Sequence, residues 1–151
     1  GIQNHGQMKQ IFLSILLLTT LLFTGCDEDP NPLSLDTFDV RWYDDDNSGT
    51  QTAGDVLTFD IYVSTTNNDP DDQFIEEWEF SYTVNGQFAG VLIGDENARS
   101  NTIGADIEVE IDNLVLPGPG QLQAGDVIEF RLWAIDNCGT VLEQFHRYVL
   151  E

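Results

Sequence analysis

The chain has 151 residues and carries 27 acidic residues against five lysines and arginines, which gives a formal net charge of −22 at pH 7. This charge repels phosphate backbones and anionic headgroups, so nucleic acids and acidic membrane surfaces are excluded as partners and cations are favoured. The length suffices for one domain with a hydrophobic core after the N-terminal segment is set aside.

The first predicted element is an export leader. Residues 1–7 precede Met8 and are taken as a segment upstream of the natural start. In residues 8–25, Lys9 stands ahead of an apolar run that ends in small residues, which is the pattern of a secretory signal peptide. The run is shorter than the roughly 20 residues that a membrane-spanning helix needs.

The end of the leader carries a lipidation signature. Residues 22–26 (LFTGC) resemble a bacterial lipobox, with Phe23 in place of the usual leucine. The resemblance implies that the Cys26 thiol is acylated and anchors the mature protein to a membrane. The acidic stretch 27–32 (DEDPNP) resembles the surface-export signal of Bacteroidota lipoproteins, which implies the outer membrane and the cell surface. Its prolines predict an extended tether over residues 26–36. For the leader itself, the alternative to a lipoprotein signal is an ordinary secretory peptide or an uncleaved anchor.

Residues 37–151 alternate apolar and polar side chains, which predicts strands with one buried face. The clearest runs are 38–42, 57–63, 78–84, 107–111 and 128–134, with weaker ones at 87–93 and 141–150. Asn85-Gly86 predicts a hairpin. No window predicts an amphipathic helix, so the fold class is all-β, a seven-stranded two-sheet sandwich.

The inward phase of these runs predicts a core of large apolar side chains: Trp42, Leu57, Phe59, Ile61, Trp78, Phe80, Val109, Ile111, Ile128, Phe130 and Leu132. The segments 53–59 (AGDVLTF) and 124–130 (AGDVIEF) repeat a Gly-Asp turn, and we expect them to start the second and sixth strands, one central to each sheet. Trp78 on the third strand and the pattern from Asn113 to Gly139 resemble immunoglobulin-like and fibronectin type III domains, which implies an immunoglobulin-like sandwich.

The twelve residues from Asp44 to Asp55 have the spacing of a calcium loop. Ligand positions one, three, five, seven and twelve hold Asp44, Asp46, Ser48, Thr50 and Asp55, and Gly49 holds the sixth, where the chain turns sharply. Serine at the fifth place and aspartate at the twelfth depart from the usual loop, and strands flank it. Two interpretations stay open, a Ca²⁺ site and an acidic turn without a ligand.

The sequence offers little for catalysis. His146 is the only histidine after the leader, and no G-x-S-x-G nucleophile motif is present. A zinc site needs several histidines or cysteines. We therefore expect a protein that is not an enzyme.

Three aromatic residues, Tyr43, Tyr62 and Trp133, fall on the outward phase of their strands. Exposed aromatic rings can stack on sugar rings, and neighbouring side chains can equally cover them.

The whole sequence predicts a surface-exposed lipoprotein that acts as a non-catalytic binding or adhesion module, stabilised by Ca²⁺ if the loop binds it. The alternative is an accessory carbohydrate-binding lipoprotein of a nutrient-uptake system. The ligand, protein or glycan, is not identified by the sequence.

Overall fold

A computed structural model describes residues 31–66 and 73–151 of the chain. Seven strands occupy these ranges: β1 (Ser34–Tyr43), β2 (Val56–Ser64), β3 (Ile75–Val84), β4 (Gln87–Asp95), β5 (Thr102–Glu110), β6 (Val127–Asp136) and β7 (Val141–Val149). A single 3-10 turn, Ile111–Asn113, follows β5. The leader, Cys26 and the first part of the tether lie outside the described residues. In the described part of the chain no helix is long and apolar enough to cross a membrane.

The strands form two antiparallel sheets, one with the order β1-β2-β5 and the other with the order β4-β3-β6-β7. The predicted all-β, seven-stranded, two-sheet architecture is confirmed. Strands β2 and β6 are both flanked by neighbours on each side, as the repeated Gly-Asp segments predict. The hairpin prediction also holds, because Asn85 and Gly86 adopt φ values of 51° and 79° between β3 and β4.

The core lies between the sheets and is centred on three phenylalanines. Phe59 of β2 packs against Phe80 of β3 and Phe130 of β6, with ring centroids 4.8 and 4.9 Å away. Every predicted core side chain is buried except Trp42, which is 41% exposed. The core prediction for Trp42 is wrong because the residue lies near the end of an edge strand, where its indole turns to a buried carboxylate.

The chain enters the sandwich three residues earlier than the predicted tether allows. Strand β1 begins at Ser34 because Leu33 is buried in the core and Leu35 packs against it. The Gln73 amide donates to the carbonyl oxygen of Asn31 at 2.8 Å and to the carboxylate of Asp136 at 2.6 Å. These bonds hold the incoming chain at one end of the sandwich, which we call the entry end.

The opposite end of the sandwich, the far end, carries the β1–β2 loop that contains the predicted calcium ligands. Strand β1 has ten residues, so it spans about 33 Å from one end to the other. The β3–β4 hairpin and the long β5–β6 connection also lie at the far end, because all the strand pairs are antiparallel. The predicted loop and the tether are thus separated by the length of the domain.

Candidate metal centre

Three carboxylates of the β1–β2 loop converge. Asp44 follows β1 directly, Asp55 precedes β2 directly, and Asp46 lies between them on the same loop. One oxygen from each carboxylate lies within 4.8 Å of the others. Two ligands on opposite sides of one Ca²⁺ ion are about 5 Å apart, so these oxygens are close enough to share a single cation.

The loop's own backbone holds the first two carboxylates in place. Asp44 accepts from the backbone N–H groups of Ser48 and Gly49, both at 2.9 Å. Asp46 accepts from the Thr52 hydroxyl at 2.6 Å and from the Ser48 N–H at 3.0 Å. Bonds from Thr52 and Ser48 lower the pKa of Asp46 to about 2. Gly49 has a φ of 79°, a left-handed conformation that favours glycine at this tight turn.

Asp55 differs from the other two because it is only 1% exposed. Its Oδ2 accepts three hydrogen bonds, from the Tyr148 hydroxyl at 2.6 Å, the Thr52 N–H at 2.8 Å and the Trp42 indole N–H at 2.9 Å. Burial alone would raise the pKa of Asp55, but these bonds outweigh it and keep the pKa below its usual value. Asp55 is therefore a charged, buried carboxylate at neutral pH.

The second oxygen of Asp55 has no donor. Among the described residues, Asp55 Oδ1 is the only buried side-chain oxygen or nitrogen without a hydrogen-bond partner. Leaving a buried charged acceptor unsatisfied costs at least about 1–3 kcal/mol. A cation held between this oxygen and the carboxylates of Asp44 and Asp46 would remove that cost.

The repeated segment at β6 provides an internal comparison. Asp126 Oδ2 accepts from the Gln123 N–H at 2.8 Å, just as Asp55 Oδ2 accepts from the Thr52 N–H. The other oxygen of Asp126, however, accepts from the Asn85 side-chain amide at 2.9 Å. The two copies therefore share their turn chemistry, and only the Asp55 copy leaves an oxygen without a donor beside other carboxylates.

Of the predicted ligands, Asp44, Asp46 and Asp55 converge. The Ser48 hydroxyl donates to the Thr50 carbonyl oxygen at 3.0 Å, and both oxygens keep lone pairs that a cation can use.

Sequence reasoning missed three residues that hold the site: Trp42, Thr52 and Tyr148. Tyr148 lies 93 positions from Asp55, and no local spacing signals that contact. Burial and the adjacent Asp55 carboxylate raise the pKa of Tyr148, so its hydroxyl stays a proton donor.

The donor set defines the kind of ion. The converging group consists of carboxylates alone, with no histidine or cysteine within it. His146 is half-buried, with its ring 5.7 Å from that of the core residue Phe59. An all-oxygen set suits hard cations such as Ca²⁺ and Mg²⁺ and does not suit Zn²⁺ or Cu²⁺.

The predicted stacking residues do not form one platform. Tyr43 and Tyr62 are 47% and 42% exposed on the three-stranded sheet, but they lie six positions apart in the strand register, or about 20 Å. Trp133 is half-buried on the other sheet, with the guanidinium of Arg131 6.0 Å from its ring centroid. A single sugar ring cannot contact all three.

No protein-family model matches this chain, and no curated protein or solved structure matches it either. The features that define its chemistry are the three converging carboxylates, the buried oxygen without a donor and the absence of nitrogen or sulfur ligands in the group. A hard divalent cation would bind such an all-oxygen group and would give the buried oxygen a partner.

Proposed function

We propose that this protein is a non-catalytic binding or adhesion module that Ca²⁺ stabilises through Asp44, Asp46 and Asp55. Two observations carry the proposal: one oxygen from each of the three carboxylates lies within 4.8 Å of the others, and Asp55 has a buried oxygen, Oδ1, without a donor. Ca²⁺ accepts about six to eight oxygen ligands at about 2.3–2.6 Å in flexible geometry. Water and exposed loop oxygens complete its shell.

Calcium suits this loop better than magnesium. Mg²⁺ needs nearly ideal octahedral geometry at about 2.0–2.1 Å and gives up its water reluctantly. Here two of the carboxylates are already fixed by the backbone of their own loop, and the third by groups of both sheets. Such a preset arrangement favours the larger ion, whose coordination distances and angles vary more widely.

A cation at this position supports a role in stiffening the far end. Asp55 begins β2 of the three-stranded sheet, and its partner Tyr148 belongs to β7 of the four-stranded sheet. The C-terminus is tied to the same loop, because the Glu151 N–H donates to the Gln51 carbonyl oxygen at 2.8 Å. An ion that orders the loop therefore orders a junction between both sheets.

The proposed location follows from the leader. The protein is exported and anchored to the outer membrane by lipid on Cys26, facing the cell surface. The chain enters the sandwich at the entry end, through Asn31 and Leu33. The far end, with the proposed Ca²⁺ loop, then points away from the membrane, where an extracellular partner can reach it.

Calcium-dependent melting tests the proposal. Extracellular modules typically bind Ca²⁺ with Kd of about 10⁻⁴–10⁻³ M, so millimolar calcium should raise the melting temperature. Asp46→Ala should remove most of that rise. Magnesium is the control, because any divalent cation screens the acidic surface. An equal rise with magnesium, or an unchanged response in Asp46→Ala, would show that the loop is only an acidic turn.

A further inference from the structure

One aromatic side chain borders the proposed cation site and is open to solvent. Trp42 is 41% exposed, although its indole nitrogen donates to Asp55 Oδ2 at 2.9 Å. This bond fixes the ring, because Asp55 is itself buried and held by Tyr148 and Thr52. A tryptophan that is already fixed loses little conformational freedom when a ligand packs on it.

A cation at the site would have water-occupied coordination positions beside this ring, and a ligand can displace that water. Three carboxylates leave several of the roughly six to eight Ca²⁺ positions to other oxygens, and the loop from Asp45 to Thr50 is exposed. The two oxygens of Asp55 belong to one carboxylate, so a Ca²⁺ ion bonded to Oδ1 lies within about 8 Å of the Trp42 indole nitrogen. One monosaccharide unit is large enough to contact both.

The charge of the protein narrows the class of ligand. With Ca²⁺ bound, the three carboxylates still leave a local charge of −1, and the chain as a whole carries −22, so the surface disfavours carboxylated and phosphorylated ligands. Neutral hydroxyl groups are hard oxygen donors that Ca²⁺ accepts, and the C–H face of a sugar ring packs on aromatic side chains. We infer that the far end binds a neutral glycan, with two adjacent hydroxyls on Ca²⁺ and the sugar ring stacked on Trp42; this inference rests on the proposed Ca²⁺ site.

Affinity electrophoresis of the full chain tests the inference. The protein migrates through native gels that contain mannan, dextran, xylan or galactan, in calcium or in EGTA. We expect at least one of these neutral polysaccharides to slow the protein in calcium and none to slow it in EGTA. Polygalacturonate, which is anionic, should not slow it.

Variants of two equally exposed aromatic residues locate the binding surface. Trp42→Ala should weaken the calcium-dependent retardation by about tenfold or more, because it removes the stacking ring. Trp42→Phe keeps a ring without the N–H donor and should retain part of the binding. Tyr62→Ala is the matched control, since Tyr62 is 42% exposed on the same sheet but lies near the entry end. The melting temperatures of each variant in calcium and in EGTA verify that it is folded and still binds the ion.

The outcomes separate this inference from the proposal on which it rests. If calcium raises the melting temperature but no neutral polysaccharide slows the protein, the glycan inference is wrong and the cation site stands. If calcium has no specific effect on melting, both are wrong. Retardation that persists in EGTA, or that Tyr62→Ala abolishes while Trp42→Ala does not, also overturns the inference.

Discussion

Replacing Asp55 with asparagine separates the need for a hydrogen-bond acceptor from the need for a cation ligand. The asparagine side-chain oxygen can accept the same bonds from Tyr148, Thr52 and Trp42. Its amide group then takes the position of Oδ1, where its N–H groups can donate to the converging carboxylates of Asp44 and Asp46. We expect Asp55→Asn to fold but to lose its response to calcium.

The magnitudes of the opposing effects in the metal-free protein nearly cancel. Three hydrogen bonds to a charged carboxylate become bonds to a neutral amide oxygen, which costs about 1 kcal/mol each. Against this, removing a buried acceptor without a partner regains about 1–3 kcal/mol, and the repulsion between Asp55 and Asp46 disappears. In EGTA the free energy of unfolding of Asp55→Asn should therefore lie within about 2 kcal/mol of the parent.

Calcium should stabilise the parent but not Asp55→Asn, so it separates their free energies of unfolding. At about 10 mM Ca²⁺, a Kd between about 10⁻⁴ and 10⁻³ M adds about 1.4–2.7 kcal/mol to the parent alone. At about 4 °C per kcal/mol for a domain of this size, the parent gains about 5–10 °C in melting temperature. Asp55→Asn should gain no more in calcium than in the same concentration of magnesium.

Asp126→Asn is the matched control. It neutralises one acid in the same Gly-Asp turn, so it changes the surface charge equally, but Asp126 already uses both oxygens. Differential scanning calorimetry of both variants in EGTA, magnesium and calcium should show the calcium response lost only in Asp55→Asn. A normal calcium response in Asp55→Asn, or an equal loss in Asp126→Asn, would refute the role assigned to the buried oxygen.

Three further predictions concern the rest of the molecule. Trp78→Ala should lower the free energy of unfolding in urea by about 3–5 kcal/mol, because it leaves a cavity in the core, whereas Trp133→Ala should cost clearly less. Mass spectrometry of the membrane-extracted protein should find an N-terminal diacylglyceryl Cys26; a disulfide between Cys26 and Cys138 would contradict this, since one thiol cannot do both. Burial lowers the pKa of His146, so the unfolded chain binds a proton more readily, and stability should be lost as pH falls through about 6.5. The stability of the parent relative to His146→Phe should decline between about pH 8 and pH 5, and a difference independent of pH would rule the effect out.

The sheet pattern was predictable because it depends on local periodicity. Alternation along each strand fixes which side chains face inward, and two sheets then pack on those faces. The prediction failed for Trp42, where the strand phase alone points inward. Near the end of its edge strand, the Trp42 indole donates to the buried Asp55 while the ring stays partly exposed, and this contact depends on a residue thirteen positions away.

The candidate site was only partly predictable for a similar reason. Spacing alone brings Asp44 and Asp46 near Asp55, because a loop of this length must close between two paired strands. The decisive property of Asp55 is its burial, and that depends on Tyr148 at the other end of the domain sequence. Spacing also suggested ligands at Ser48 and Thr50, and the structure shows the Ser48 hydroxyl bonded to the Thr50 carbonyl oxygen.

Most acidic residues that the structure describes are exposed to water, whereas Asp55 has a buried oxygen without a donor. On the outer face of the three-stranded sheet, Asp39, Asp60 and Asp106 lie side by side across β1, β2 and β5, and all three are exposed. Like charges opposite one another destabilise a sheet, but water and salt screen them, so they need no bound ion. Asp55 Oδ1 is buried and beyond such screening. Divalent ions should therefore act on the sheet face weakly and without saturation, whereas the loop should take up a single calcium ion along a saturable curve.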